Sequence, residues 1–187
     1  MRHDHTVEGA AFRLRPLAVA DAPFVVRLRT DETLTRYLNP TSPDIADQIA
    51  WTERYFEREG DFNFIVERRS TGEAEGVIAL YDVEPGVQGQ WGRWVLAPGS
   101  LAAPESALSI YRFGIETLGL PRIYCRTEAA NLPVIQFHDS CGLTTAPSAP
   151  GATTVEQEVT PANWTAVAEQ LAKGAERSAI LLRRREG

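Results

Sequence analysis

Lysine is almost absent from this 187-residue chain: of its 19 basic residues only Lys173 is not an arginine, a bias that reads as genome composition rather than function. Cysteine is nearly as scarce. Cys125 and Cys141 lie in apolar stretches without metal-ligand spacing, so both read as reduced, buried small hydrophobes and no metal site is expected. Positive charge is in deficit, with a net charge of −6, which argues against nucleic acid as a partner because phosphate binding needs a basic surface. No apolar run approaches the roughly 18–20 residues of a membrane-spanning helix, so no membrane placement is expected. Residues 1–9 carry no apolar stretch able to act as a signal peptide, which leaves the cytoplasm as the expected location.

What the sequence does have is a regular alternation of strand and helix signals. It predicts a disordered lead over residues 1–10 and a single domain over residues 11–187. Residues 11–16 (AFRLRP) alternate apolar and polar, the period of a half-buried strand. Asp21 is placed to cap a helix carrying Ala22, Val25, Val26 and Leu28, with Pro23 tolerated in its first turn. Asn39, Pro40, Ser42 and Pro43 break the chain before Asp44 caps a second helix over residues 45–58. Strands follow at 62–68, 75–81 and 90–96, with a Gly/Pro loop at 84–89 between the last two. After Ala97-Pro98-Gly99-Ser100, a long helix is predicted over 101–118 and a strand over 122–127. A short helix opens at Asn131 and closes on Gly142, which suits a left-handed cap. A Pro-rich loop or frayed strand (143–151), a strand (152–159) and a helix (162–182) complete the chain. Arg183, Arg184 and Arg185 stand at the negative end of that helix. The order of elements is that of an α+β fold with a mixed sheet.

The stretch Gly92-Arg93-Trp94-Val95-Leu96-Ala97-Pro98, then Leu118-Gly119-Leu120, then Asn131 through Phe137-His138-Asp139-Ser140-Cys141-Gly142-Leu143 resembles the core of the GCN5-related N-acetyltransferase (GNAT) superfamily. Phe12-Arg13-Leu14-Arg15-Pro16 with Asp21-Ala22, and the closing Thr160-Pro161-Ala162-Asn163-Trp164, resemble the family's first and last elements. The resemblance looks nearest to the branch that acetylates protein N-termini and the amino groups of nucleotide-linked sugars. It implies a mostly antiparallel sheet, helices on both faces, and a V-shaped split between the fourth and fifth strands. It also implies an acyl-CoA cofactor, acetyl-CoA or another, whose pantetheine arm pairs like an added strand with backbone groups of Trp94, Val95, Leu96 and Ala97. The pyrophosphate would sit at the start of the long helix, where free N–H groups and the helix dipole favour an anion.

Here the chain departs from the family pattern. The usual basic residue is Leu101, the two loop glycines are Ala102 and Pro104, and Glu105 brings negative charge where pyrophosphate is expected. Pro104 donates no hydrogen bond. Three readings stay open. The N–H groups of Gly99, Ser100, Leu101 and Ala102 still hold CoA, with Arg112 or Arg126 supplying charge. Or the acyl donor is a carrier-bound or shorter thioester. Or acyl transfer has been lost and the fold is kept as a binding module.

By the resemblance, the acid that protonates the leaving thiolate stands four residues before the glycine closing the asparagine helix, which is His138. The plainer reading is a partly buried histidine bonded to Asp139 or a backbone carbonyl. Asn131 matches a family asparagine that contacts the cofactor, and it would also cap the helix it begins. For the general base, Asp82 and Glu84 after the preceding strand and Glu128 after the fifth are candidates, each also readable as a solvated carboxylate. Arg27, Arg29 and Arg36 are candidates to pair with an acceptor phosphate or carboxylate, and among Trp51, Tyr55, Phe62, Phe64, Trp91 and Trp94 one or two could line an acceptor pocket. The expected activity is acyl transfer to a primary amine of an amino sugar or a peptide N-terminus, with a homodimer left open.

Overall fold

The apolar alternation seen in the sequence becomes one twisted sheet. The computed structural model describes residues 2–147, 149 and 151–186, and Ser148 and Pro150 of the expected Pro-rich loop lie outside them. The strands are β1 (Val7–Glu8), β2 (Phe12–Pro16), β3 (Phe62–Arg68), β4 (Ala74–Glu84), β5 (Gln88–Leu96), β6 (Ile123–Glu128), β7 (Thr144–Thr145) and β8 (Thr154–Val159). Their spatial order is β1-β2-β3-β4-β5-β6-β8-β7, antiparallel throughout except for the parallel pair β5–β6.

Helices α1 (Ala22–Arg29), α2 (Glu32–Thr35), α3 (Ile45–Phe56), α4 (Ala103–Arg112), α5 (Leu132–Cys141) and α6 (Trp164–Glu186) complete the fold. Two apolar cores form on opposite faces of the sheet. Leu17, Val25, Leu28, Tyr55, Ile65, Val77 and Val95 gather under α1 and α3. Phe12, Leu14, Phe64, Ile78, Trp91, Ile110, Tyr111 and Phe113 gather under α4 and α6. Burial of this much aliphatic and aromatic surface, at about 25 cal/mol per Å², is the main driving force for the fold.

The caps follow local chemistry. Asp44 accepts from the Ala46 N–H and starts α3 as expected, and Gly142 closes α5 at φ 87°, where a side chain would be strained. Asp21, expected to cap α1, makes no side-chain cap. Its carboxylate instead forms an ion pair with Arg15 at 2.7 Å and accepts from the Ala18 N–H. The helix predicted from residue 101 begins at Ala103, and beyond Arg112 it widens into a π-turn over Phe113–Thr117.

The expected disordered lead does not describe residues 2–10. Val7 and Glu8 pair with Leu14 and Arg13, and the His3 and His5 rings lie against Phe62, Phe64 and Phe113. The aromatic surface of β3 and α4's π-turn draws the segment in. A carboxylate described below fixes its backbone.

Two features of β5 shape the site. Ala79 pairs with Gly92 but Val77 pairs with Val95, so three residues of β5 span two of β4. The extra residue is Arg93, which takes φ 50°, a conformation uncommon away from glycine. The bulge brings Trp91 and Trp94 onto one face, ring centroids 5.4 Å apart, and turns Arg93 to the other. The second feature is the brevity of the β5–β6 pairing: only Gly89–Ile123 and Gln90–Tyr124 are in register. Past Gln90 the strands separate, as expected for residues 90–96 and 122–127.

Candidate active site

The separation of β5 from β6 leaves a gap of about 100 Å³ lined by Trp91, Gly92, Arg93 and Trp94 on one side and Cys125, Arg126, Thr127 and Glu128 on the other. Asn131, Val134 and His138 of the α5 segment and Tyr37 and Leu38 from the turn after α2 complete it. Strand alternation decides which backbone groups of β5 face this gap. The Ala97 N–H donates to the Glu75 carbonyl at 2.7 Å, on the β4 side. Val95, two residues back, faces the same way, and Trp94 and Leu96 turn their N–H and C=O groups to the open edge. Of the four residues expected to pair with a pantetheine arm, Trp94 and Leu96 have groups to offer. Val95 and Ala97 are engaged with β4.

The loop after β5 is ordered by local bonds. Ala97-Pro98-Gly99-Ser100 closes as a turn, the Ser100 N–H donating to the Ala97 carbonyl at 3.0 Å and Gly99 taking φ 79°. The Ser100 Oγ accepts from the Ala102 N–H at 3.2 Å. Ala102 itself is 0% exposed, so this expected cofactor contact is a core residue whose N–H is taken. Gly99 is exposed and Ser100 half-buried, while Leu101 is half-buried and packs against the core under α4 and α6. The first helical bond of α4 runs from the Ser106 N–H to the Ala102 carbonyl, so N–H groups of the first turn point out from the helix start.

Glu105 does not face an anion there. It is 3% exposed, and its carboxylate reaches across to accept from the backbone N–H groups of Ala10, Ala11 and Phe12. Burial raises its pKa, and those backbone donors oppose the rise. The expected repulsion is therefore corrected: this charge serves the start of β2. Arg112, expected to supply charge to the loop, stands at the far end of α4 beside Glu116. Arg126 lines the gap while paired with Glu156 at 2.9 Å. A guanidinium the sequence did not single out for this task, Arg185 of α6, donates to the Gly99 carbonyl at 3.3 Å.

His138 is 2% exposed. Its Nδ1 lies 3.1 Å from Gln157 Oε1 and 3.4 Å from Cys125 Sγ. The Gln157 amide is oriented by its Nε2, which donates to Asp139 Oδ1 at 2.7 Å, so its oxygen faces the imidazole. Nδ1 therefore carries the proton, and Nε2, buried and without a hydrogen-bond partner among the described residues, is left as an acceptor. Burial among Trp91, Trp94 and Phe137 pushes the pKa down to about 4, with Gln157 and Asp139 opposing. An imidazolium acid at neutral pH, the expectation from the sequence, does not fit this environment, because the charged form is desolvated with no carboxylate in contact with the ring. The same burial pushes the Cys125 thiol up to about 12, so it is an inert neighbour.

The remaining candidates divide. Asn131 begins α5 without using its side chain as a cap, so its amide is available to the gap. Glu128 is exposed at the gap's rim. Asp82 is exposed, at φ 50° in an irregular stretch of β4, and lines neither the gap nor the larger cavity beyond Arg93. Glu84 accepts from Gln88 on the same exposed ribbon. Of the three arginines singled out, Arg27 lies over Phe24 and Arg36 over Tyr37, and Arg29 lines the larger cavity with Trp51. Tyr55, Phe62, Phe64 and Trp91 are core.

Comparison with curated proteins found no match. Among solved structures, one described as apo FdhC, a nucleotide-linked sugar GNAT, aligns with a TM-score of 0.81 at 25% identity, covering 92% of this chain and 99% of its own. A GCN5-related N-acetyltransferase from Brucella melitensis aligns at 0.76 and 19% identity (92% and 86% covered). A variant of the spermidine N-acetyltransferase SpeG from Vibrio cholerae aligns at 0.70 and 14% identity (84% and 98% covered). The family model for the acetyltransferase (GNAT) domain matches residues 12–144, and with the split sheet in place the chain belongs to that family.

Proposed function

We propose that the protein transfers an acyl group from an acyl-CoA to a primary amine, with an amino sugar as the preferred acceptor. The observation that carries this reading is the parting of β5 and β6 beyond Gln90, which by strand alternation turns the backbone groups of Trp94, in the gap's lining, and of Leu96, farther along the strand, to an edge that β6 no longer covers. Unpaired strand edges inside a fold need a partner, and an extended pantetheine arm offers one. Asn131 is positioned to add a side-chain contact, and the buried, unpartnered Nε2 of His138 marks a place where a donor is missing.

For the diphosphate, the first-turn N–H groups of α4 and the turn at Gly99, Ser100 and Leu101 remain, and Arg185 brings positive charge beside Gly99. The grip lacks the usual loop arginine, so affinity is modest. The bound thioester would supply an activated acyl carbon to a neutral amine.

The protein's own groups have defined tasks in this reading. Trp91, Trp94 and Phe137 exclude water around His138. His138 Nε2 orients a donor in the gap as a neutral acceptor. Glu128 at the rim is the candidate to receive the amine's proton. The amino-sugar preference rests on the alignment with the nucleotide-linked sugar GNAT. The test is a thiol-release assay with acetyl-CoA and longer acyl-CoAs against a panel of amino sugars, polyamines and peptides. Turnover with an amino sugar above the rest is expected. No thiol release with any amine, despite acyl-CoA binding, would leave a binding module instead.

A further inference from the structure

A second cavity, about 410 Å³, opens on the α1 and α3 face of the sheet, on the other side of Arg93 from the gap. Its wall carries four arginines, Arg29, Arg54, Arg58 and Arg93, against one aspartate, Asp47, in a chain whose net charge is −6. Most of the protein is therefore acidic and this hollow is not.

The arginines differ in how far their charge is matched. Arg93 is 2.6 Å from Asp61, and Arg58 approaches the same carboxylate at 4.0 Å. Among the described residues neither Arg29 nor Arg54 forms an ion pair. Arg29 donates only to neutral oxygens, the Thr41 Oγ1 at 2.9 Å and the Asn39 carbonyl at 3.2 Å. Burial, and secondarily the nearby Arg93, lowers its pKa, although a guanidinium stays charged at neutral pH. Asp47 is held by the Ser42 hydroxyl at 2.6 Å rather than by an arginine. Asp47 in the wall and Asp61 beside it offset part of this charge, and the four arginines leave the cavity with an excess of positive charge.

From this convergence we propose that the cavity binds the phosphoryl portion of a phosphorylated amine acceptor. The inference rests on the acyltransferase reading for the word acceptor, but the anion site itself stands on these residues. A single carboxylate would be satisfied by one guanidinium fork. Several converging guanidiniums match a group with more than one negative charge and three or more acceptor oxygens. Trp51, stacked on Tyr55 at 5.7 Å, lines the same cavity with the Arg58 and Arg93 guanidiniums 6.0 and 5.8 Å from its ring centroid, so it helps to hold the two arginines together. The volume falls within the range of small-molecule sites. Arg93 lines both this cavity and the gap, so a ligand seated on the arginines has its far end directed to where acyl transfer would occur.

The test is calorimetry on the full chain with three probes at low salt: glucosamine, glucosamine 6-phosphate and UDP. Both phosphorylated probes should bind at least tenfold more tightly than glucosamine, and the better of the two tells a phosphomonoester from a nucleoside diphosphate. Arg54→Gln, an exposed change with no packing role, should weaken the phosphorylated probes about tenfold, the effect of one charge-assisted contact, and leave acetyl-CoA binding unchanged. Arg29→Gln should do the same, with partial rescue in Arg29→Lys. Equal affinity for glucosamine and its phosphate, or parent-like phosphate binding in both folded Gln variants, would overturn the proposal. So would displacement of the phosphate probe by saturating acetyl-CoA, because the probe would then occupy the cofactor's own phosphate site. Phosphate binding that survives in a protein unable to bind acetyl-CoA would support the anion site and count against the acyltransferase reading alone.

Discussion

The Nδ1 of His138 lies 3.1 Å from the amide oxygen of Gln157, and this contact decides which nitrogen of the buried imidazole is left as an acceptor. Asp139 fixes the Gln157 amide, Gln157 fixes the tautomer, and Nε2 is left without a proton. The ring's folded pKa, about 4, lies below its unfolded value near 6.5. Stability from a histidine buried in its neutral form is fully present above about pH 6.5 and is lost as pH falls toward 4. A shift of this size corresponds to about 3 kcal/mol. Urea melts between pH 7.5 and 4.5 should show that acid-side loss, and His138→Gln should reduce it. His3, also lowered to about 4 by burial, acts in the same direction, so the slope shrinks without vanishing. A parent protein equally stable at pH 7.5 and 4.5 would refute the buried neutral ring.

The same tautomer governs the rate. With no imidazolium at neutral pH, turnover should not decline with an apparent pKa near 6.5, as it would for a histidine acid of ordinary pKa. Gln157→Leu, which removes the partner that holds Nδ1–H, should lower kcat about tenfold while His138→Phe lowers it more. A falling limb centred near pH 6.5 in the parent would restore the histidine-acid role.

Glu105 predicts a division between stability and cofactor affinity. Its carboxylate accepts from three successive backbone N–H groups of the β2 entrance. Glu105→Ala should destabilise the fold by about 1–3 kcal/mol through those unmet donors, measured by urea denaturation. It should leave acetyl-CoA affinity within about twofold. A large gain in affinity would mean that the carboxylate does repel the diphosphate. Leu101→Arg is the change expected to tighten binding, by about tenfold in calorimetry, since it adds one charge-assisted contact beside the turn, while it gives up the packing of Leu101 on the core. Glycine at 102 should not help, because Ala102 is core and its removal leaves a void.

Arg93 joins both cavities from a strained backbone position. Arg93→Ala removes the guanidinium 2.6 Å from the buried Asp61 and should cost about 2–4 kcal/mol in urea denaturation. A loss below about 0.5 kcal/mol would show that Asn63 and Arg58 suffice to hold Asp61.

The parts of this picture readable in the sequence are those with a local signature. Alternation at residues 11–16, the strand signals at 62–68 and 90–96, the cap at Asp44 and the left-handed glycine at 142 all act within a few residues and led to the right elements. The gap between β5 and β6 followed from the family resemblance. What stayed hidden depends on distant partners. Glu105 looked like a misplaced charge because its donors lie more than 90 residues away. His138 looked titratable near neutrality because nothing local announces Trp91, Trp94 and Gln157 around it. Arg29 was legible as a candidate, but Arg54, Arg58 and Arg93 join it only after α1, α3 and β5 have packed. Gly92 inside the strand signal hints at a bulge, but nothing local shows that the next residue, Arg93, takes the positive φ.

Hydrogen exchange with and without acetyl-CoA tests the central claim most directly, because it reads the backbone groups on which the claim rests. At saturating acetyl-CoA, the amides of Trp94 and Leu96 and those of the turn and helix start, 99–103 and 105, should exchange more slowly, while α1 and α3 stay unchanged. If millimolar acetyl-CoA leaves exchange at Trp94 and Leu96 as it is in the free protein, the split between β5 and β6 is not an acyl-CoA site and the proposed activity falls with it.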